Sequence, residues 1–177
     1  MNNEKSSQTN EKEYPVRKPN RLPKQSYSQN GRYFITICTY KRICLLCDPN
    51  EDKHNPERFY LSEYGQIVNG IISEIPNHFG VSITNYVIMP NHIHIIVDIG
   101  YKRAILESPL QGNRSLISRI VGYLKMNSSK AIHESYPDRV WQRSFHDHII
   151  RNGTEYRRIA RYIELNPLCW EDDCFYI

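Results

Sequence analysis

The chain has 177 residues, of which 40% are hydrophobic and 24% charged, a composition typical of a soluble globular protein. Its length is sufficient for one domain with a full core but not for two. The formal net charge is only +4, and no apolar run approaches the roughly 20 residues of a membrane span, which argues against a membrane protein. The polar N-terminus lacks the apolar stretch of a secretory signal, so a cytoplasmic location is expected.

Residues 1–24 are poor in hydrophobic side chains and combine prolines with lysine and arginine, which predicts a flexible basic arm. Residues 25–177 are predicted to form one domain. Its first strand is RYFITICTY, residues 32–40, which is rich in β-branched and aromatic residues and follows a Gln-Asn-Gly turn signal.

A helix is predicted after the polar loop that follows this strand. Its apolar residues recur at intervals of three and four positions, which places them on one helical face. Ser62 is predicted to cap the start of the helix and Pro76 to mark its end. The apolar face consists of Tyr64, Ile67, Val68, Ile71, Ile72 and Ile75.

The segment VSITNYVIMPNHIHIIVDI is long for a single strand. Pro90 and Asn91 suit the two central positions of a β-turn. The segment is therefore predicted to form two antiparallel strands, residues 81–89 and 92–99.

Three further elements are predicted in the C-terminal half. They are a helix from about Ser115, a fourth strand from Trp141, and a third helix that starts near Asn152 or Thr154 and stops at Pro167. The order β-α-β-β-α-β and then a helix is that of the ferredoxin-like split βαβ fold. This is an α+β fold in which helices cover one face of an antiparallel sheet. Such a fold supports many functions, so the site has to identify the function.

His92 and His94 lie one residue apart in an apolar, β-branched strand. Side chains alternate along a strand, so both imidazoles project from the same face and can converge on one metal ion. Two core histidines paired with backbone or water are the alternative. The pair follows directly after a tight turn near a strand end, where functional sites are often built.

A second candidate group lies on the predicted third helix. Tyr162 and Asn166 are four residues apart and share a helical face, and Arg158 precedes Tyr162 by one turn on that side. Tyr156 lies six residues before Tyr162 and should point to a different side. A packed tyrosine and a helix-ending asparagine before proline are the structural alternatives.

Basic residues are concentrated in the C-terminal half of the chain. Because arginine suits phosphate, this concentration indicates either a nucleic-acid surface or an ordinary solvated face. The residues are Arg114, Arg119, Lys125, Lys130, Arg139, Arg143, Arg151, Arg157, Arg158 and Arg161.

The segment WQRSFHDHIIRN adds aromatic and polar candidates. Trp141 and Phe145 can stack on an unpaired base or pack in the core, and His148 can orient a phosphate or serve the fold. The candidate DNA-contacting side chains are accordingly Trp141, Gln142, Arg143, His148, Arg151 and Arg158.

The five cysteines are an odd number in a chain without an export signal, so a disulfide framework is not expected. Cys44 and Cys47 form a C-x-x-C pair, but Cys169 and Cys174 have the wrong spacing to complete a zinc knuckle. We interpret all five as ordinary thiols.

Several separated segments, in this order, resemble those of the HUH-type single-tyrosine transposases, and most closely the REP-associated tyrosine transposases. They are the strand GRYFITICT, YVIMPNHIHIIV with its His-Ile-His, the helix SRIVGYLK, VWQRSFHDHIIRN, and the terminal RYIELNP. The resemblance covers nearly the whole chain from about Tyr27.

This resemblance implies a site and a cofactor. Tyr162 would be the nucleophile, and His92, His94 and the side-chain oxygen of Asn166 would bind a divalent metal, Mg²⁺ or Mn²⁺. Imidazole suits Mn²⁺, and amide oxygen with water suits Mg²⁺, although the ligands alone do not exclude Zn²⁺. No nucleotide cofactor is expected, because a phosphotyrosine bond stores the energy of the broken phosphodiester and no GxxxxGK[ST] phosphate loop is present.

The resemblance further implies an enzyme that cleaves and rejoins single-stranded, hairpin-bearing DNA through a covalent 5′-phosphotyrosine, with release of a free 3′-hydroxyl. Relatives include monomers and dimers with shared active sites, so a homodimer stays open. Two rival functions remain. One is a non-catalytic nucleic-acid-binding protein on the same fold, and the other is a metallohydrolase in which zinc-bound water attacks and no protein–DNA adduct forms.

Overall fold

The computed structural model describes residues 30–48, 59–100 and 115–176, so the predicted basic arm lies outside the described residues. The strands in these ranges are β1 Gly31–Cys38, β2 Cys47–Asp48, β3 Tyr60–Leu61, β4 Ser82–Met89, β5 His92–Ile99 and β6 His146–Ile150, and the helices are α1 Glu63–Phe79, α2 Leu116–Ile132 and α3 Gly153–Leu165. Two short 3₁₀ segments, Tyr40–Arg42 and Asn166–Asp172, follow β1 and α3. None of the helices described is long and apolar enough to cross a membrane.

The main sheet has four strands in the order β4-β5-β1-β6, and all its neighbouring strands are antiparallel. Read along the chain, the sheet and its helices follow the order β1-α1-β4-β5-α2-β6, which confirms the predicted split βαβ fold. β2 and β3 form a separate two-stranded ribbon.

The two faces of the sheet carry different helices. On β5, Ile93, Ile95 and Val97 belong to the large apolar cluster that includes the buried sides of α1 and α2. Ile96 lies on the other face and packs in a smaller cluster with Ile159 and other buried residues of α3. β5 is therefore buried on both faces, which explains its continuous apolar sequence and places His92 and His94 on the face covered by α3.

Polar caps fix the start of each helix that the structure describes. Ser62, Ser115 and Asn152 each accept a hydrogen bond from a backbone N–H in the first turn. The cap at Ser62 was predicted, and the other two lie at or near the predicted starts of their helices.

Two predicted boundaries are wrong. Pro76 lies inside α1, because proline removes only its own N–H bond and the helix continues for one more turn to the left-handed Gly80, which has φ of 60°. Trp141 forms only an isolated bridge with Thr39, and the regular strand β6 begins at His146.

A close backbone contact ties α1 to the turn that precedes β5. A Cβ at Gly65 would lie 2.0 Å from the carbonyl oxygen of Leu46. The N–H groups of Leu45 and Leu46 both donate to the carbonyl of Pro90, at 2.8 and 2.9 Å. The glycine thus allows α1 to hold the loop that in turn holds the Pro90-Asn91 turn next to the histidines.

Replacing Gly65 by alanine should therefore destabilise the protein, because a backbone carbonyl cannot move aside as a flexible side chain would. We expect Gly65→Ala to lower the free energy of unfolding by at least about 2 kcal/mol in urea denaturation. Gly70→Ala is the matched control in the same helix, since a Cβ there meets nothing within 4 Å. It should raise stability by about 0.5–1 kcal/mol; equal effects of the two variants would contradict the close contact.

Candidate active site

β5 carries His92 and His94 on the face of the sheet that α3 covers. Their side chains are almost fully buried, at 0% and 1% exposed. Their Nε2 atoms are 3.1 Å apart. The two imidazoles therefore converge on one point.

Each imidazole is held by a hydrogen bond to its other nitrogen. Asn91 Nδ2 donates to the Phe175 carbonyl at 2.8 Å, which leaves Asn91 Oδ1 to accept from His92 Nδ1 at 2.9 Å. The neutral His92 ring then has its lone pair on Nε2, toward His94. Thr36 Oγ1 lies 2.9 Å from His94 Nδ1 and can accept in the same way. Partners of this kind fix the tautomer in metal-ligating histidines.

Burial keeps both rings uncharged. It lowers the pKa of His92 to about 4. Burial, and next the neighbouring His92, lower the pKa of His94 to about 3. At neutral pH both imidazoles are therefore free of the extra proton that would block metal binding.

Aromatic rings supply much of this burial. The Phe175 ring centroid lies 4.6 Å from that of His92, and Trp170 lies 5.9 Å from the same ring. Phe34 packs 5.1 Å from the His94 ring. These contacts surround the imidazoles with apolar surface.

α3 adds Tyr162 and Asn166 to the pair, and Tyr156 points elsewhere, since its hydroxyl donates to Asn85 at 2.9 Å. Tyr162 Oη lies 3.2 Å from His94 Nε2, and its side chain is 41% exposed. Asn166 is buried, and its Oδ1 finds no hydrogen-bond donor among the described residues. A buried amide oxygen without a donor is unusual, and a bound cation would satisfy it.

The sequence analysis missed Asp173, which the 3₁₀ segment after α3 brings back to the site. Its Oδ2 accepts from Tyr162 Oη at 3.2 Å and from Asn166 Nδ2 at 2.6 Å. Potential ligand atoms of His92, His94 and Asp173 all lie within 4.8 Å of one another, so the structure contains a candidate His-His-Asp metal site. Asp173 is one of three consecutive acidic residues without periodicity, and no sequence signal singles it out.

The pKa values of Asp173 and Tyr162 are shifted in opposite directions by their surroundings. Burial acts to raise the pKa of Asp173, but hydrogen bonds from the Phe175 backbone and from Asn166, together with the nearby imidazoles, outweigh it and the net pKa is lowered. The pKa of Tyr162 is raised, first by burial and then by the negative charge of Asp173. The phenol is thus protonated at neutral pH and would need a positive charge beside it to ionise.

The candidate DNA-contacting residues are spread over the surface and the core. Trp141 is only 4% exposed, and its indole N–H donates to Ser128 Oγ at 2.9 Å, so almost none of its ring is open to a base. His148 Nε2 pairs with Glu155 at 2.7 Å at the start of α3. Gln142 is partly buried, and the remaining candidates, Arg143, Arg151 and Arg158, are exposed.

All five cysteines are free thiols. Among the described residues, the cluster that could hold a metal consists of His92, His94 and Asp173 and contains no cysteine. The interpretation of the cysteines as ordinary thiols stays a prediction.

The fold, with a histidine pair on a central strand and a tyrosine on the helix across the same face, is that of the HUH-type single-tyrosine transposases. Residues 53–166 match the family model described as "Transposase IS200 like". The chain belongs to this family, and the assignment made from its motifs is confirmed.

Individual proteins are also similar to the chain. An uncharacterised protein of Haemophilus influenzae is 33% identical over 169 residues, which cover 89% of this chain and 91% of the relative. A REP-associated tyrosine transposase, solved bound to a REP hairpin, superposes with a TM-score of 0.58 at 21% identity. The superposition covers 84% of this chain and 73% of that protein, and it supports the shared fold.

The buried histidines should make the metal-free protein less stable in acid. Their pKa values of about 4 and about 3 in the folded state lie below the ordinary 6.5, so the unfolded chain binds more protons as the pH falls from about 6.5 toward 4. The contribution of the neutral histidines to the free energy of unfolding is therefore fully present above about pH 6.5 and decreases as the pH falls below it. Urea midpoints measured in EDTA should therefore decrease steadily over this range.

The control for this pH dependence is an exposed histidine. His133→Gln should keep the full slope of stability against pH, whereas His94→Gln should flatten it even though the variant starts from a lower stability. An identical slope in both variants would show that the buried imidazoles do not cause the acid sensitivity.

Proposed function

We propose that this transposase-family protein cleaves and rejoins single-stranded DNA through a covalent 5′-phosphotyrosine on Tyr162, with a divalent metal bound beside it. The observation that carries the proposal is the 3.2 Å distance between Tyr162 Oη and His94 Nε2, because it brings a hydroxyl group next to the two imidazoles. The hairpin bound to the structural relative supports hairpin-bearing DNA as the substrate. The proposed place of action is the cytoplasm.

Four side chains fit a metal at this site. His92 and His94 would each offer Nε2, Asn166 its buried Oδ1, and Asp173 a carboxylate oxygen. Two neutral imidazoles, an amide oxygen and one carboxylate suit Mn²⁺, and the oxygen ligands also suit Mg²⁺. When bound, such an ion polarises phosphate oxygens and offsets the negative charge that develops during phosphoryl transfer.

The chain's own residues position and protect the nucleophile. α3 leaves Tyr162 partly exposed, so a phosphate can reach its oxygen, while the ring packs edge-on against Phe34 at 6.3 Å. The phenolic oxygen forms a bond to phosphorus while the bond from phosphorus to the 3′-oxygen breaks. The phenolic proton passes to Asp173 Oδ2, to which the phenol donates a hydrogen bond, and from there to the leaving 3′-oxygen, which becomes the free 3′-hydroxyl. A 3′-hydroxyl of another strand reverses these steps and restores the tyrosine, so no nucleotide cofactor is required.

Surface arginines are proposed to hold the DNA through its phosphates. Arg143, Arg151 and Arg158 are exposed and carry the charge that non-specific binding of DNA requires. Gln142 is proposed to assist them, and His148 to do so after releasing Glu155. Trp141 is proposed to support the fold and not to contact DNA, because its ring is buried. The resemblance to the family allows the protein to act as a monomer or as a homodimer.

The first test of this proposal is the variant Tyr162→Phe, which removes the hydroxyl and leaves the ring to pack. Wild-type protein with Mn²⁺ and a single-stranded hairpin substrate should form a denaturant-resistant protein–DNA adduct. Tyr162→Phe should bind the same DNA about equally and form no adduct, because the attacking oxygen is missing. Denaturing gel electrophoresis with labelled DNA measures both.

Tyr156→Phe is the matched control, since its hydroxyl also belongs to α3 but donates to Asn85. It should form the adduct at the wild-type level. Adduct formation by Tyr162→Phe would assign the nucleophile to another residue. A binding protein would give no adduct with any variant, and a zinc hydrolase would cut without one.

The second test concerns the metal. Mn²⁺ should raise the melting temperature of wild-type protein and of Tyr162→Phe, because an ion that binds only the folded state stabilises it. His92→Ala and His94→Ala should lose this shift and all cleavage, yet keep most DNA affinity, which comes from phosphate contacts. Asp173→Asn should bind Mn²⁺ more weakly.

Thermal denaturation across a Mn²⁺ titration and an equilibrium DNA-binding assay provide the measurements. A full Mn²⁺ shift in the His92→Ala, His94→Ala double variant would place the metal elsewhere. A normal shift in Asp173→Asn would remove the carboxylate from the ligand set but leave the histidines in it.

A further inference from the structure

The turn after β1 has an unusual backbone. Lys41 and Arg42 occupy its two central positions, and their φ values are both positive, at 54° and 58°. The Ile43 N–H closes the turn by donating to the Tyr40 carbonyl at 3.3 Å. A turn with positive φ at both central positions is of type I′, which favours asparagine and glycine there. The sequence therefore places two disfavoured residues in this turn.

The surrounding structure holds the strained turn in place. The Cβ of a lysine or arginine crowds the backbone in the left-handed region, which costs free energy. The Tyr40 N–H donates to the Val140 carbonyl at 2.7 Å, and Thr39 Oγ1 donates to the Ile43 carbonyl at 2.8 Å. Strain that neighbouring contacts maintain in this way is common at functional sites, so the side chains of the turn are candidates for a function.

Arg42 is the side chain that the turn directs toward the active site. Its Nη1 donates to the Cys174 carbonyl at 3.2 Å, and its Cζ lies 5.1 Å from the centroid of the Phe175 ring. The Phe175 ring in turn lies 4.6 Å from the ring of His92. The guanidinium is therefore one aromatic ring away from the candidate metal ligands.

The positive charge of Arg42 is not neutralised by a carboxylate among the described residues. Asp173, the acidic residue of the site, accepts instead from Tyr162 and Asn166. A guanidinium has five N–H donors, and the described contacts of Arg42 use one of them, on Cys174. A phosphate group matches this side chain, since arginine binds phosphate oxygens in pairs.

The charge of Arg42 also reaches the histidines. Burial is the main cause of the lowered pKa of His92, Asp173 opposes it, and Arg42 adds to it. The side chain of Arg42 is partly exposed, so a ligand can reach it from solvent. An anion bound to Arg42 would therefore lie at the edge of the active site and within its electrostatic range.

We propose that Arg42 binds a phosphate of the DNA strand next to the phosphate that Tyr162 attacks. The identity of the ligand rests on the proposed function. Arg42 is a positioning residue, because its described contact with the histidines runs through the Phe175 ring and not through the reacting atoms. The residues suited to this backbone, asparagine and glycine, carry no charge, so phosphate binding explains the presence of an arginine at a strained position.

Arg42→Asn tests the inference, because asparagine tolerates positive φ but has no charge. The probe is a fluorescent single-stranded oligothymidylate, and its affinity is measured by anisotropy in EDTA across a salt titration. Loss of one phosphate contact on a single strand lowers the steepness of log K against log salt by about 0.7. Arg42→Asn should therefore bind about fivefold more weakly at about 0.1 M salt, and the difference should close toward about 1 M.

Lys41→Asn is the matched control in the same turn. Lys41 has the same left-handed backbone, but it is exposed and its Nζ lies over the ring of Tyr40 at 5.5 Å. Lys41→Asn should raise the melting temperature by about 2 °C or more, because it relieves strain, and it should keep the wild-type salt dependence. Arg42→Lys restores the charge and should recover most of the steepness that Arg42→Asn loses.

The adduct assay with the hairpin substrate gives a second measurement. Arg42→Asn should raise the DNA concentration at half-maximal adduct formation more than it lowers the maximal rate, because it weakens binding before the chemical step. An unchanged salt dependence, or no binding of the oligothymidylate by wild-type protein, would overturn the inference. A loss of affinity that persists at about 1 M salt would also overturn it, and would assign Arg42 to holding Cys174 and Phe175.

The outcome is separable from that of the cleavage proposal. If wild-type protein forms no tyrosine adduct but Arg42→Asn loses the salt-dependent part of its affinity, the phosphate contact stands and the cleavage proposal fails. If the adduct forms and Arg42→Asn keeps the wild-type salt dependence, the cleavage proposal stands and the inference about Arg42 is wrong.

Discussion

The structure depends on one constraint, the burial of β5 on both faces of a four-stranded sheet. A strand in this position must satisfy every polar atom from within the protein, and two of its residues are histidines. Asn91 and Thr36 meet that requirement by binding the Nδ1 atoms of the two rings. With the Nδ1 atoms held in this way, the Nε2 atoms of the two rings face each other at 3.1 Å.

The site is assembled from segments that are distant in sequence, and each is held by backbone contacts. The loop before β2 binds the Pro90 carbonyl, and the Thr39 N–H donates to the Asn91 carbonyl at 2.9 Å. Phe175, in the segment after α3, accepts a hydrogen bond from the Asn91 side chain through its carbonyl and donates through its own N–H to Asp173. A single turn, Pro90-Asn91, is therefore the junction at which the sheet, the α1 side of the fold and the C-terminal segment meet.

Sequence periodicity was sufficient for most of the fold, since apolar residues at helical spacing and capping side chains located α1, α2 and α3. It failed where local preference was overruled or absent. Pro76 is tolerated because α1 ends only at a left-handed glycine, and the two-residue strands β2 and β3 are too short to show a period. Trp141 was predicted to begin a strand, but it forms only an isolated bridge, and its indole N–H instead donates to Ser128 in α2.

Most of the candidate site, like most of the fold, could be predicted from the sequence. Tyr162 and Asn166 share a helical face by spacing alone, and His92 and His94 share a strand face. Asp173 was not predictable, because only the three-dimensional return of the chain after α3 places it within 3.2 Å of the tyrosine. Carboxylates without periodicity are indistinguishable from solvated charges until the backbone path is known.

Burial has opposite consequences for the two kinds of group in the site. It keeps the imidazoles of His92 and His94 neutral and therefore ready to bind a cation. It also holds the phenol of Tyr162 protonated, and the adjacent charge of Asp173 strengthens that effect. In the function proposed above, the same environment would prepare the histidines as ligands and restrain Tyr162 as the nucleophile, because its phenol would ionise only when positive charge reaches the carboxylate beside it. In that proposed reaction, metal binding would precede attack on a phosphate.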